Sequence, residues 1–158
     1  MNSNIPDHKE RVVKIIATNR KAEHDYIILQ TFEAGIVLTG TEVKSLRNGR
    51  CSMVDAYCTI RKNEVFVINL HINEYEFGNR ENHKPRRERK LLLHDYEINK
   101  IRTAINEKGL TVVPLEIYFS GHLVKLKIAT VKAKKKYDKR ESTKEKEQLK
   151  EINRKFKF

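Results

Sequence analysis

Tryptophan is absent from this 158-residue chain, and cysteine, proline and glycine are scarce, at two, three and six residues. Without tryptophan, any stacking on a planar ligand falls to tyrosine, phenylalanine, histidine or arginine. The two cysteines, Cys51 and Cys58, form no CxxC pair and have no neighbouring histidine set. They read as reduced thiols, neither a disulfide framework nor a zinc site. No apolar run approaches the roughly 20 residues that span a bilayer. The opening MNSNIPDHKERVVK has no signal-peptide core, so a soluble, cytoplasmic protein with no membrane partner is expected. HExxH, GxSxG, a Gly-rich phosphate loop and suitably spaced paired carboxylates are all missing. No catalytic residue, metal ligand or cofactor is therefore expected.

What the chain has in excess is positive charge. Lys and Arg number 33 against 21 Asp and Glu, a formal charge of +12, which points to a polyanionic partner and most often to nucleic acid. The excess is uneven: residues 132–158 hold 12 Lys/Arg and 5 Asp/Glu, a net +7. A segment that polar buries too little apolar surface to offset its ordering entropy. Three parts follow: a flexible N-terminus over 1–11, a folded unit over 12–131, and a basic tail over 132–158. The tail is expected to be disordered in isolation and helical along a polyanion, with Leu149, Ile152 and Phe156 spaced for one weak apolar face. A tail serving only solubility is the plainer alternative.

Within the folded unit, β-branched and aromatic runs alternate with turn signals. The stretch DYIILQTFEAGIVLTG holds two strand-like runs, around Tyr26–Leu29 and Gly35–Leu38. TEVKSLRNG then changes to helical spacing, with Thr41 as the expected N-cap and Gly49 as terminator. VDAYCTIR and EVFVINLHI flank a Lys62–Asn63 turn and predict a hairpin. Residues 76–90 lack apolar periodicity and predict a long basic loop. Ile98, Ile101 and Ile105 share one helical face, closed by Gly109. A last hairpin turns at Ser120–Gly121. About six strands with two helices suit a mainly β protein with flanking helices, an OB-type antiparallel β-barrel being the first choice.

Two sets of residues stand out for binding. Asn19, Arg20, Lys21, His24 and Tyr26 precede a strand as a basic lip, able to meet phosphates and bases, or simply a solvated loop. Glu33 repels phosphates, yet a carboxylate accepts hydrogen bonds from base amino and imino groups. Lys125 and Lys127 alternate with Val124, Leu126 and Ile128 and so project from one non-core face. His71 and His83 would be the candidates if the protein were instead a small nuclease. His71 sits at a strand end, where a structural role is the commoner one, and His83 offers at most a stacking or phosphate contact.

The stretches NRKAEHDYIILQTFEAGIVLTGTEVKSLRNG, NHKPRRERKLLLH and YDKRE, in that order, resemble the SmpB (SsrA-binding protein) family. The resemblance implies binding to the tRNA-like domain of transfer-messenger RNA and delivery to stalled ribosomes for trans-translation, without covalent chemistry. It adds Lys90 and Leu92 to the RNA-binding set of Asn19, Arg20, Lys21, His24, Tyr26, Glu33, Lys125 and Lys127. In the tail it implies a basic turn at Lys132, Lys134 and Lys135. Contacts from Tyr137, Asp138, Lys139 and Arg140 would reach the small-subunit decoding centre and the mRNA channel. Ala133 stands where the family commonly has glycine, and Tyr137 where some relatives have histidine. The rival reading is a generic OB-type RNA- or single-strand-binding protein with a nonspecific basic tail.

Overall fold

The computed structural model describes residues 12–155, with the backbone only at 79, 136–138, 153 and 155. In chain order the elements are β1 (Val13–Thr18), α1 (Arg20–Asp25), β2 (Tyr26–Ile36), α2 (Gly40–Arg47), β3 (Cys51–Ser52), β4 (Tyr57–Arg61) and β5 (Glu64–Ile68). There follow β6 (His71–Ile72), β7 (Arg89–Leu92), α3 (Asp95–Asn106), β8 (Thr111–Ser120), β9 (Leu123–Ala133) and α4 (Lys136–Lys155). The molecule is mainly β, with one large antiparallel sheet and helices against it.

The ladder pairings run in a circuit. β8 pairs with β4, β4 with β5, β5 with β7, β7 with β2, β2 with β9, and β9 returns to β8. β1 takes the rest of the β8 edge shared with β4, from Ser120 to Glu116. Strand alternation sends Phe32, Ala34, Val65, Val67, Leu126 and Ile128 inward, and Leu46 of α2 and Ile101 of α3 join them in one buried cluster. A second cluster lies on the outer side, where Ala22 of α1 and Tyr26 cover Val113, Leu115, Ala129 and Val131.

The hairpin at Lys62–Asn63 forms as expected, both residues having positive φ (48° and 62°), as a tight two-residue turn requires. The helix with Ile98, Ile101 and Ile105 also forms, and Gly109 follows it at φ 62°. Several expectations are corrected. The two runs in DYIILQTFEAGIVL are one 11-residue strand, because a bulge between Ile28 and Gln30 resets the alternation that made them look separate. The basic lip is a helix, α1. The N-cap of α2 is Thr39 rather than Thr41: Glu42 Oε1 accepts the Thr39 N–H at 2.9 Å, closing the first turn.

The loop expected to be loose is pinned. Asn82 accepts from the Tyr75 N–H at 2.9 Å and donates to the Tyr75 carbonyl at 2.7 Å. His83 is buried, with Nε2 at 2.8 Å from the Ile72 carbonyl and Nδ1 at 2.9 Å from Thr41 Oγ1. A carbonyl only accepts, so Nε2 donates to Ile72, while Nδ1 shares a hydrogen bond with the Thr41 hydroxyl. Its role is to tie the loop down, not to meet phosphate. Arg89, fully buried, is held by Glu42 and donates to the Leu70 and Pro85 carbonyls at 2.6 and 3.1 Å. Burial alone raises the Glu42 carboxyl, but the Thr39 N–H, Arg87 and Arg89 outweigh it and hold it below its ordinary value.

At the C-terminal end, β9 continues through Ala133, so the boundary expected after Val131 falls inside a strand. Residues 136–155, expected to be disordered in isolation, are helical here as α4. Leu149 and Ile152 lie on it, both exposed; Phe156 lies outside the described residues.

Candidate nucleic-acid interface

Cross-strand register assembles the site. On β7, β2, β9 and β8 the residues Leu92, Gly35, Lys125 and Tyr118 stand in one row. The adjacent row is Glu33, Lys127 and Glu116. Alternation puts all of them on the face away from the core, since Leu91, Ala34, Leu126 and Ile117 between them are buried. Directly opposed residues have Cβ atoms about 5 Å apart, so Glu33 lies against Lys127. Gly35 makes room for the row: a Cβ there would stand 3.3 Å from Leu92 Cβ. Leu92 is left more than half exposed, at 54%. A large aliphatic side chain that open beside two lysines and a carboxylate is a mixed apolar and charged surface suited to base edges and phosphates.

Glu33 is oriented by a residue that the sequence pattern does not single out. Tyr118, which is buried, donates its hydroxyl to Glu33 Oε2. Burial pushes the Tyr118 phenol well above its ordinary value, and the Glu33 hydrogen bond and charge push it further, so it remains a donor. The only sequence signal for Tyr118 is parity: it lies two residues beyond Glu116 on the outward face. Neither Lys125 nor Lys127 is in an ion pair among the described residues. Lys90 pairs with Glu64 at 2.9 Å and Lys21 with Asp55 at 3.2 Å, both exposed pairs of small energetic value.

The other candidates gather at the far end of β2, at α1. Tyr26 and Glu33 are seven residues apart on one strand, roughly 20 Å. Asn19 is buried and committed to the fold: Oδ1 accepts from the Ala22 N–H at 3.2 Å and Nδ2 donates to the Pro114 carbonyl at 2.9 Å. It is the N-cap of α1, not a free contact. Arg20 and Lys21 are exposed, and Tyr26 is half-buried against the outer cluster. His24 Nδ1 lies 2.9 Å from Asp25 Oδ1 and Nε2 lies 2.9 Å from Thr143 Oγ1, so the tail helix reaches this residue. The His24 hydrogen bond lowers the Asp25 carboxyl pKa, with Lys139 adding to it against the cost of burial.

Among the tail residues, Lys132 belongs to β9, and Lys134 donates to Ser142 Oγ at 2.8 Å. Lys139 stands 3.8 Å from Asp25; Lys135 and Arg140 are exposed. The side chains of Tyr137 and Asp138 lie outside the described residues. Ala133 ends β9 opposite Tyr26 and is not among the residues with positive φ, so this backbone has no need of glycine there. His71, in β6, pairs with Ser52 and is half-buried. The cysteines are free thiols; burial pushes Cys51 up to about 11 and Cys58 higher still. Among the described residues no group of three His, Cys, Asp or Glu could hold a metal, and no helix is long and apolar enough to cross a membrane.

Fold and face together define a small basic β-sheet protein that presents a mixed charged and apolar sheet surface, with a cationic helix held at α1. The SmpB family model matches residues 16–158, and the chain belongs to that family. It is 53% identical over 143 residues to an SsrA-binding protein of Geobacillus thermodenitrificans, covering 90% of this chain and 92% of that one. It is 54% identical over 139 residues to one of Geobacter sulfurreducens, covering 88% and 91%. A chain of the solved structure "tmRNA-SmpB: a journey to the center of the bacterial ribosome" superposes with TM-score 0.65 at 42% identity, over 80% of this chain and 93% of that one.

Proposed function

We propose that the protein binds the tRNA-like domain of transfer-messenger RNA through the sheet face and delivers it to stalled ribosomes for trans-translation. The observation that carries this is the outward double row in which Leu92, Gly35 and Lys125 stand beside Glu33 and Lys127. Phosphate contacts from Lys125, Lys127, Arg20 and Lys21 position the RNA, Leu92 packs on a sugar or base, and Glu33 accepts from a base edge. Asn19 acts indirectly, by holding α1. His24 and Tyr26 extend the surface toward α1, and Lys90 borders it at β7.

The tail supplies the second function. Lys139, Lys146, Lys150 and Arg154 fall within about 80° of arc at roughly 100° per residue, a cationic stripe that can follow an RNA-lined channel. Lys132, Lys134 and Lys135, with Tyr137, Asp138, Lys139 and Arg140, enter the decoding centre when no mRNA fills it. The barrel, of OB type, and the tail then work as separable parts of a cytoplasmic protein that performs no covalent chemistry. These roles rest on the family and on the placement of the residues.

The test is truncation after Lys135, which spares every β9 pairing, including Ala133 with Tyr26. Binding to the tRNA-like RNA should persist within a few-fold while tagging on stalled ribosomes is lost. Equal loss of both would overturn the division. Binding competed away by a large excess of unrelated RNA would favour a generic RNA binder instead.

A further inference from the structure

Beyond Leu92 the chain presents two rings that no role so far uses. His94, two residues on and still extended (φ −70°, ψ 151°), caps α3 through its backbone, its N–H donating to Glu97 Oε1 at 3.1 Å. Its imidazole lies nearly parallel to the phenol ring of Tyr96, at 6° between planes and 5.6 Å between centroids. Lys100, one helical turn along, holds its ammonium 5.8 Å from the Tyr96 ring centroid. Tyr96 is 62% exposed, and no hydrogen bond fixes its hydroxyl among the described residues.

An aromatic side chain that exposed is costly to leave in water, and its orientation here is set by a second ring and a cation. Exposed Leu92 lies two residues before His94, about 7 Å along the extended chain, and Leu93 between them packs on the core, so His94 shares the outward side of the sheet face and carries the Tyr96 ring beside it. We propose that Tyr96, backed by His94, is a stacking platform for one unpaired nucleobase of the bound RNA, with Lys100 meeting the adjoining phosphate. This rests on the sheet face being the RNA surface. The chemistry favours a base over a phosphate at the rings themselves, because Asp95 and Glu97 flank Tyr96 and repel a backbone there. A cation lies just past them, where the backbone of a splayed-out nucleotide would run.

A phenyl ring preserves the platform, whereas an isobutyl group keeps apolar area without a π-face, so Tyr96→Phe and Tyr96→Leu separate stacking from burial. Binding of the tRNA-like RNA by the full chain, followed by fluorescence anisotropy, should be unchanged in Tyr96→Phe. It should weaken roughly five- to hundredfold in Tyr96→Leu and Tyr96→Ala. Lys100→Ala should weaken binding modestly and flatten its salt dependence. Melting curves should be unaltered, since Tyr96 is largely in solvent. Wild-type affinity in Tyr96→Leu, with Glu33→Ala still impaired, would overturn the platform and leave the sheet face standing. Wild-type affinity in both would overturn the platform and the face together.

Discussion

Replacing Glu33 by Ala sets two effects of opposite sign against each other. If Glu33 is only an unfavourable charge on a cationic surface, removing it strengthens phosphate binding. Two unit charges 4 Å apart in water interact by about 1 kcal/mol, and salt screens charges farther away, so the gain is ~0.5–1 kcal/mol, or two- to fivefold. If the carboxylate that Tyr118 orients accepts from a base edge, removing it costs about 1–3 kcal/mol, five- to 150-fold in dissociation constant. Anisotropy titrations with labelled tRNA-like RNA at two salt concentrations read both the affinity and the salt slope. The expected outcome is weaker binding at an unchanged slope, because no phosphate contact is lost. Tyr118→Phe, which frees the carboxylate to rotate, should reproduce a smaller part of the loss. Tighter binding by Glu33→Ala would refute the base-reading role outright.

Gly35→Val should push Leu92 out of its row, since even a single Cβ would approach it to 3.3 Å. RNA binding should fall several-fold while the protein stays folded by circular dichroism. Glu42→Gln leaves Arg89 buried without its counter-charge and should cost about 3–5 kcal/mol in urea unfolding at neutral pH, much of it recovered by adding Arg89→Met. The pH dependence has a definite sign. The folded Glu42 pKa is depressed, so its contribution is complete above the ordinary Glu value of about 4.3 and is lost as pH falls through the lower folded value. Wild-type stability should therefore drop more steeply than that of Glu42→Gln below about pH 4.

Strand alternation alone makes the outer row partly legible: Lys125 and Lys127 face one way because Leu126 and Ile128 face the other. The same alternation could not show that Glu33 would lie opposite Lys127, or Leu92 beside Gly35, because register between distant strands is a property of the closed circuit. Periodicity also failed for α1. Six residues make fewer than two turns, too short for a hydrophobic stripe, and only Asn19 carried a capping signal. The arginine of the buried Glu42–Arg89 pair hid inside NHKPRRERK, where every residue but the proline is polar or charged and all look solvated until one of the arginines is found to have no exposure at all.

The tail helix is where local and global preferences divide. Along α4 the charged i, i+4 positions mostly pair like with like, as in Arg140/Lys144, Glu141/Glu145, Lys146/Lys150, Glu147/Glu151 and Lys150/Arg154. Each such pair costs about 0.2–0.5 kcal/mol, and the opposite-charge i, i+3 pairs, such as Glu141/Lys144 and Glu147/Lys150, offset about as much. The helix thus gains little from itself. Its ties to the folded unit are concentrated at its N-terminal end, through Lys139 to Asp25, Thr143 to His24 and Ser142 to Lys134. A helix so balanced and so locally held costs little to detach and realign. The like-charge spacing that weakens it alone also lines up Lys146, Lys150 and Arg154 with Lys139 in one stripe, and a polyanion laid along that stripe would remove their repulsion. One charge pattern therefore makes the helix marginal on α1 and would favour it along a polyanion.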